Sequence, residues 1–389
     1  MSNIKTPYKL AYIVSHPIQY QAPLLKLISE QDDISLSVFF LCKPNTKKYV
    51  DPGFNQTITW DKPLLEGYQH EFIDSTLKSG EFDFTNPKVS LASLRTALNS
   101  NKWDAVWIHG YAHFASLYTV YYCWKHDIPL MLRGDSTLLS SRKSWIRTLL
   151  SRCLFKRCAA LLCVGNDNRD YYLHYGANPE SLFLMPYAVD NAFFRQAATS
   201  QLESSTDKRV ILYASKFIQR KHPLMLIKAF HKLAPKIRNT TELWFVGGGE
   251  QYQQMQDYVN EHQLEKSIIF HGFKNQSELP DYFRACDVFI LPSEKEPFGL
   301  IINEVMNQGK AIITTNEVGA ARDLVNDGEN GWVINAGSEE ALHKALNDAL
   351  KCSPEQLKSM GKASLEKISS WNYDADIAAL RSALAAICR

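Results

Sequence analysis

No charge of either sign dominates this chain: 43 Lys and Arg stand against 41 Asp and Glu over 389 residues, a formal net charge of +2. That balance gives no case for nucleic acid as a partner of the whole chain, so any cationic site has to be local. No apolar run approaches the roughly 20 residues that a membrane-spanning helix needs. Residues 1–9 are polar, and the apolar run at 10–14 is too short for the core of a secretory leader. Cysteine is present but not in metal or redox spacing: Cys153, Cys158 and Cys163 are separated by five, which suits neither a structural zinc loop nor Cys-x-x-Cys. The expectation is a cytoplasmic chain with free, buried thiols and no metal site. An apolar content of 45% excludes disorder, and the length suggests two domains.

What is present is alternation. Short, β-rich apolar runs fall at 9–14, 35–41, 105–109, 129–132, 160–164 and 182–185. They return at 209–214, 242–246, 267–270, 287–291, 311–315 and 332–334. Most are continuous rather than alternating, as strands buried on both faces should be. Helical stretches such as 223–233 and 300–307 lie between them, the pattern of parallel sheets built from βαβ units. The polar stretch 78–87 reads as a variable loop. Ala, Thr, Ser, Gln and Asp replace the apolar pattern at 196–208, behind the turn-rich Pro186-Tyr187-Ala188-Val189-Asp190, and mark a boundary. The expected fold is α/β: two Rossmann-like, doubly wound parallel-sheet domains, 1–192 and 193–370. A tail, 371–389, is expected to form a helix that crosses back to the first domain. Open α/β sheets bind ligands beyond the carboxyl ends of their strands, so the site is expected in a cleft between the domains.

One segment carries most chemistry: Leu291-Pro292-Ser293-Glu294-Lys295-Glu296-Pro297-Phe298-Gly299-Leu300-Ile301-Ile302-Asn303-Glu304. It leaves a strand, crosses a tight loop and enters a helix. Unpaired amides from Gly299 to Ile301 at a helix start favour a phosphate. Glu304, one turn in, suits the two hydroxyls of a ribose, and Glu296, at the mouth, suits a sugar hydroxyl. Either acid alone is equally well explained as a charge on the helix dipole, an effect of ~0.3–1 kcal/mol. Lys216 leaves the end of the second half's first strand and Lys221 opens the next helix, and two ammonium groups at that edge of the sheet would neutralise a diphosphate. Solvated loop lysines are the commoner case. Val246-Gly247-Gly248-Gly249-Glu250 lacks the dinucleotide fingerprint spacing, yet it permits close backbone approach to a ligand, or simply a tight turn.

Glu296-x7-Glu304, with its Glu-Pro-Phe-Gly-Leu core, resembles the corresponding element of the retaining glycosyltransferases of family 4, which have the GT-B fold. The resemblance extends over Ser215–Lys221, Val246–Glu250, His271-Gly272-Phe273 and Val318–Val325 with Gly328 and Gly331, and Pro186–Asp190 looks like the family's interdomain turn. In the first half, His16-Pro17-Ile18-Gln19-Tyr20 and Trp60-Asp61 to Gly67-Tyr68 resemble bacterial surface-polysaccharide transferases of the O-antigen, capsule and lipopolysaccharide kind. The family implies that Glu304 holds the ribose while Lys216 and Lys221 hold the diphosphate. Glu296 and the backbone of Phe298, Gly299, Leu300 and Ile301 hold the donor sugar and phosphate, and Ser215, Gly248 and Phe273 complete the donor contacts. It implies front-face attack without a protein nucleophile, cofactor or metal, the cations doing the work of a magnesium ion. The chain departs from the family at Ser215 and Lys216, where Gly and Arg are usual; a lysine keeps the charge but loses the bidentate grip. Where relatives place a sugar-side His the chain reads Arg133-Gly134-Asp135-Ser136, so Asp135 or Arg133 takes that place, with His109 on the neighbouring strand. His16 and Gln19 are the acceptor-side candidates.

From Ser136 to Gly165 there are basic residues and no acidic one. Trp145, Ile146, Leu149, Leu150, Cys153 and Leu154 recur at helical spacing, with Lys143, Arg147, Arg152 and Lys156 largely on the other face. Such a helix, 142–157, either lies on an anionic membrane surface or packs its apolar face on its own sheet. The function expected is transfer of a sugar from a nucleotide diphosphate, UDP first and GDP second, to a bacterial surface glycan or lipid-linked acceptor, in the cytoplasm or at the inner face of its membrane. The alternatives are a GT-B nucleotide-sugar epimerase and a non-catalytic nucleotide-sugar-binding subunit. The sequence sets no oligomeric state.

Overall fold

The computed structural model describes residues 6–43, 49–51, 56–58, 63–76, 88–139, 144–196 and 208–388. The expected linker at 196–208, the loop 78–87, Trp60, Asp61, Arg142 and Lys143 lie wholly or largely outside the described residues. Two compact units emerge. The first comprises Met1–Lys47, Lys62–Tyr187 and Tyr373–Arg389, the second Lys48–Asp61 and Ala188–Asn372.

In chain order the described strands begin with β1 (Tyr8–Val14), β2 (Ile34–Phe40), β3 (Tyr49–Asp51), β4 (Gln56–Ile58), β5 (His70–Phe72) and β6 (Ala105–His109). β7 (Leu130–Gly134), β8 (Ala160–Cys163) and β9 (Leu182–Leu184) follow. Six more are β10 (Arg209–Ala214), β11 (Thr241–Val246), β12 (Ile268–Gly272), β13 (Val288–Leu291), β14 (Ala311–Thr315) and β15 (Gly331–Ile334). The first unit holds a seven-stranded sheet ordered β5-β2-β1-β6-β7-β8-β9, and the second a six-stranded sheet ordered β12-β11-β10-β13-β14-β15. Every pairing in both is parallel. β3 and β4 pair antiparallel as a separate ribbon. Both sheets are thus doubly wound, each reversing its strand order once.

Burial explains why these runs are strands. Leu10 to Val14 and Ile211 to Ala214 are buried on both faces of their sheets. In the second unit Ile211, Tyr213, Leu243 and Phe245 pack with Leu226, Ile227 and Phe230 of the helix Pro223–His231 and with Leu342 and Leu346 of the helix Glu339–Lys351. The first unit is completed by the chain's last helix, Tyr373–Ile387. Its Ile377, Leu380 and Leu384 are buried, Arg381 forms a forked ion pair with Asp33 (2.8 and 2.9 Å), and Tyr373 donates its hydroxyl to the Tyr20 carbonyl at 3.3 Å.

The order reverses between β1 and β6 in the first sheet and between β10 and β13 in the second. β10 and β13 are in register only at Ile211↔Val288 and Leu212↔Phe289, before both strands end. A crevice opens beyond such a reversal, and the loops that leave the two strands line it.

Candidate active site

In the second unit those two loops carry the charge. Beyond β10 the chain turns through Ser215, whose N–H donates to the Val246 carbonyl at 3.1 Å, and Phe217, whose N–H donates to the Gly248 carbonyl at 2.7 Å. Tyr213, buried at the strand's end, donates its hydroxyl to the Lys216 carbonyl at 3.0 Å and so pins the loop from beneath. The single 3-10 turn Gln219–Lys221 then points Lys221 inward, where its residue is 7% exposed.

The second loop follows β13. Glu296 is fixed by its own backbone, its N–H donating to the Glu317 carbonyl and its carbonyl accepting from Gly319 N–H, both at 3.1 Å. Phe298 is buried and stacks on Trp371 at 5.7 Å between ring centroids. Its side chain therefore anchors the loop. Gly299 turns the chain at φ +97°, and the helix Ile301–Met306 begins behind it. The first intrahelical bonds come from Ile302 to Gly299 and from Glu304 to Leu300, so the amides of Gly299, Leu300 and Ile301 precede the bonded turn. Leu300, Ile301 and Glu304 are all half-buried along this edge.

The loops meet through Lys221 and Glu296, whose ammonium and carboxylate are in direct contact. Arg220 joins them: its guanidinium lies 3.6 Å from the same carboxylate oxygen and donates to the Lys295 carbonyl at 2.9 Å. Glu294 N–H donates to the Arg220 carbonyl at 2.8 Å, a second tie between the loops. Burial first, then the charges of Arg220 and Lys216, push the Lys221 pKa down to about 7. The anion beside it is Glu296. Two cations on one carboxylate leave the cluster net positive, with Lys216 adding to it. Such an arrangement holds a ligand with two or more negative charges.

Arg220 is a site residue that composition and spacing did not single out, because a loop arginine between a glutamine and a lysine reads as solvated. Gly247, at φ +137°, would place a Cβ 2.1 Å from the Ser215 carbonyl oxygen, so the absence of a side chain lets the two loops pack together. Gly248 serves the same packing through its carbonyl, and Phe273, half-buried, follows the end of β12.

The remaining candidates lie in the first unit, around its own strand-order reversal. His16 follows β1, His109 ends β6, and Asp135 follows β7. Gln21 accepts from the Tyr12 hydroxyl at 2.8 Å and lies 3.0 Å from the His109 ring. Burial, aided by Arg133 and His16, pushes His109 down to about 3, so its imidazole is neutral at physiological pH. His16 is lowered by burial and lies 2.9 Å from the Ser15 hydroxyl. Gln19 is half-buried on the following turn. Arg133 points inward: it donates to Asp376 (3.1 Å) and to the Met185 and Pro186 carbonyls (3.0 and 2.9 Å). Of the two residues proposed for the sugar-side place, only Asp135 reaches solvent, and crowding by protein raises its pKa above the usual carboxylate value. No group of three or more His, Cys, Asp or Glu that would hold a metal occurs among the described residues.

Residues 194–367, inside the second unit, match the family described as "Glycosyl transferases group 1", which supports a glycosyltransferase of that group. The lipopolysaccharide core biosynthesis glycosyltransferase LpsE of Rhizobium meliloti is 28% identical over 147 residues, 38% of this chain and 41% of LpsE. A D-inositol 3-phosphate glycosyltransferase of Streptomyces scabiei is 26% identical over 219 residues, 53% of this chain and 49% of that protein. The chain therefore spans about half the length, or less, of these curated relatives. HepE of Anabaena, solved in complex with UDP, superposes with a TM-score of 0.76 at 17% identity, over 97% of this chain and 99% of HepE. At that identity the likeness establishes the fold, two Rossmann-like domains of the GT-B type.

Proposed function

We propose that the chain is a retaining group 1 glycosyltransferase that moves a sugar from a nucleotide diphosphate to a bacterial surface glycan or a lipid-linked acceptor. The observation that carries the reading is the Lys221–Glu296–Arg220 cluster at the strand-order reversal of the second unit. It lies in the segment that matches the family and has the surplus positive charge a diphosphate requires. Glu304 takes the ribose hydroxyls. The amides from Gly299 to Ile301 and the ammonium groups of Lys216 and Lys221 take the phosphates, with no metal ion needed. Ser215, Gly248 and Phe273 frame the nucleotide, and Glu296 turns its free oxygen to the donor sugar.

In the transfer step the bond from the sugar's anomeric carbon to the leaving phosphate oxygen breaks as the acceptor oxygen bonds to the same face. The acceptor's hydroxyl proton passes to that phosphate oxygen. Lys216, Lys221 and Arg220 stabilise the growing charge on the diphosphate. In the first unit, His16, Gln19, the neutral His109 and Asp135 serve the acceptor and sugar end. A UDP-sugar is the donor to test first, because HepE was solved with UDP, and a GDP-sugar second. LpsE supports a lipopolysaccharide-type acceptor, and a cytoplasmic location fits a chain whose eight cysteines are unpaired.

The test is transfer from labelled donor to a cell-envelope glycolipid fraction. Lys221→Ala and Glu296→Ala should each lower turnover by at least about a hundredfold, the scale of losing one preorganised charge contact in the transition state. Wild-type rates in either variant overturn the site. Conversion of the donor to an epimer without acceptor would favour the epimerase alternative. Donor binding without any turnover would favour the binding subunit.

A further inference from the structure

The helix Trp145–Phe155 is mounted inside out. Its polar Ser151 and its Leu154 and Phe155 are buried against the first unit, while Trp145 (77% exposed), Ile146 (52%), Leu149 (56%) and Leu150 (64%) face solvent. Of the apolar stripe read in the sequence, only Leu154 packs on the first unit's core, while Trp145, Ile146, Leu149 and Leu150 do not. Leu138 and Leu139 add to the same exposed surface. On the helix Phe114–Lys125, Leu117, Tyr121 and Trp124 form a second exposed stripe, and the Arg157 guanidinium lies over the Trp124 ring at 5.4 Å, joining the two. Nine of the twelve exposed large apolar side chains among the described residues thus fall between 117 and 150. Single exposed apolar residues need no explanation, but a concentration of this kind marks an interaction surface.

Charge identifies the partner. Arg147, Arg152, Lys156 and Arg157 are exposed beside the apolar stripe, and no acidic residue occurs from 136 to 165. A second copy of the chain would set these cations against themselves in a two-fold contact, which disfavours self-pairing. An anionic lipid surface meets both features at once: headgroups pair with the cations while the rings and leucines enter the acyl boundary. Tryptophan at one end of the stripe suits that depth, having an apolar body and one polar N–H. We propose that the helix Trp145–Phe155, with Leu138 and Leu139, is an interfacial anchor that docks the first unit on an anionic bilayer. It stands on exposure and charge in that unit, independently of the donor site.

Flotation of the full chain with vesicles tests it. Vesicles of phosphatidylglycerol and phosphatidylcholine in equal parts should carry the protein at low salt, and phosphatidylcholine alone should not. Trp145→Ser with Leu149→Ser should weaken partitioning more than about tenfold. Each of Arg147→Gln, Arg152→Gln and Lys156→Gln should weaken it about fivefold, equivalent to about 1 kcal/mol. All five positions are exposed or border solvent, so melting temperature and nucleotide binding should be unchanged, which separates lost docking from lost folding. Absence of binding to the anionic vesicles overturns the proposal, as does binding that both sets of variants retain. Concentration-dependent self-association removed by Trp145→Ser, without vesicle binding, overturns it in favour of a protein partner.

Discussion

Lys221 shows how a single side chain is set to depend on its ligand. Its pKa of about 7 lies far below the ordinary lysine value because burial and two neighbouring cations disfavour the charge. A diphosphate favours the charge, so binding raises the pKa. Below pH 7 the ammonium is already present, and binding takes up no proton there. Above pH 7 a proton must be acquired on binding, so donor affinity should fall by up to about tenfold per pH unit until the bound-state pKa is reached. Calorimetric titration of UDP in two buffers of different ionisation enthalpy should show proton uptake at pH 8 and little at pH 6. Lys221→Met should abolish the difference. The arginine beside it was not legible in the sequence, since charge alone does not reveal which loop cation will share the Glu296 carboxylate with Lys221. Glu296 and Lys221 were legible, because the tight loop and the strand ends around them have strong local signals.

At the scale of elements the predicted strands were all found, from β1 to β15, because strands covered on both faces are written as unbroken apolar runs. β3, β4 and β5 were not predicted: each is three residues long, too short for a periodic signal, and β5, His70–Phe72, is an edge strand with a charged residue at its centre. The orientation of the helix Trp145–Phe155 was not legible either, since periodicity reveals a stripe but not which side the rest of the fold covers. Two contacts between elements invite measurement. A Cβ at Gly319 would lie 2.2 Å from the Pro297 carbonyl oxygen, so Gly319→Ala must push the Glu296 loop away. It should weaken UDP binding more than about tenfold and lower stability by about 1–3 kcal/mol, read by titration and by denaturant melts. Arg133 and Asp376 form an ion pair buried to 2% and 1% exposure. Arg133→Met leaves the carboxylate without its cation and should cost about 3–5 kcal/mol, whereas Arg133→Met with Asp376→Leu should recover most of that loss.

For the whole molecule, the two units predict a localised response to nucleotide. UDP at about a hundred times its dissociation constant adds about 2.7 kcal/mol to the state that binds it. For a unit of this size, at about 2–4 °C per kcal/mol, that corresponds to a melting shift of about 5–11 °C. The shift should persist in a chelator, and hydrogen exchange should slow at 215–221, 294–304 and 317–320. Slowing confined to the first unit would place the nucleotide elsewhere. A shift abolished by chelator would remove the metal-free account of the diphosphate.

The first unit is not made of consecutive chain. Its sheet is assembled from the early strands, but its last helix, Tyr373–Ile387, comes after the whole of the second unit has been written. On the ribosome, therefore, the early strands should wait with Arg133 lacking its Asp376 partner while some 185 later residues, Ala188–Asn372, are translated. The second unit, contiguous over that stretch, has what it needs to close first. Folding in the order opposite to synthesis is the expected outcome, and a chaperone that binds the nascent protein should hold the first unit until Tyr373–Ile387 has emerged.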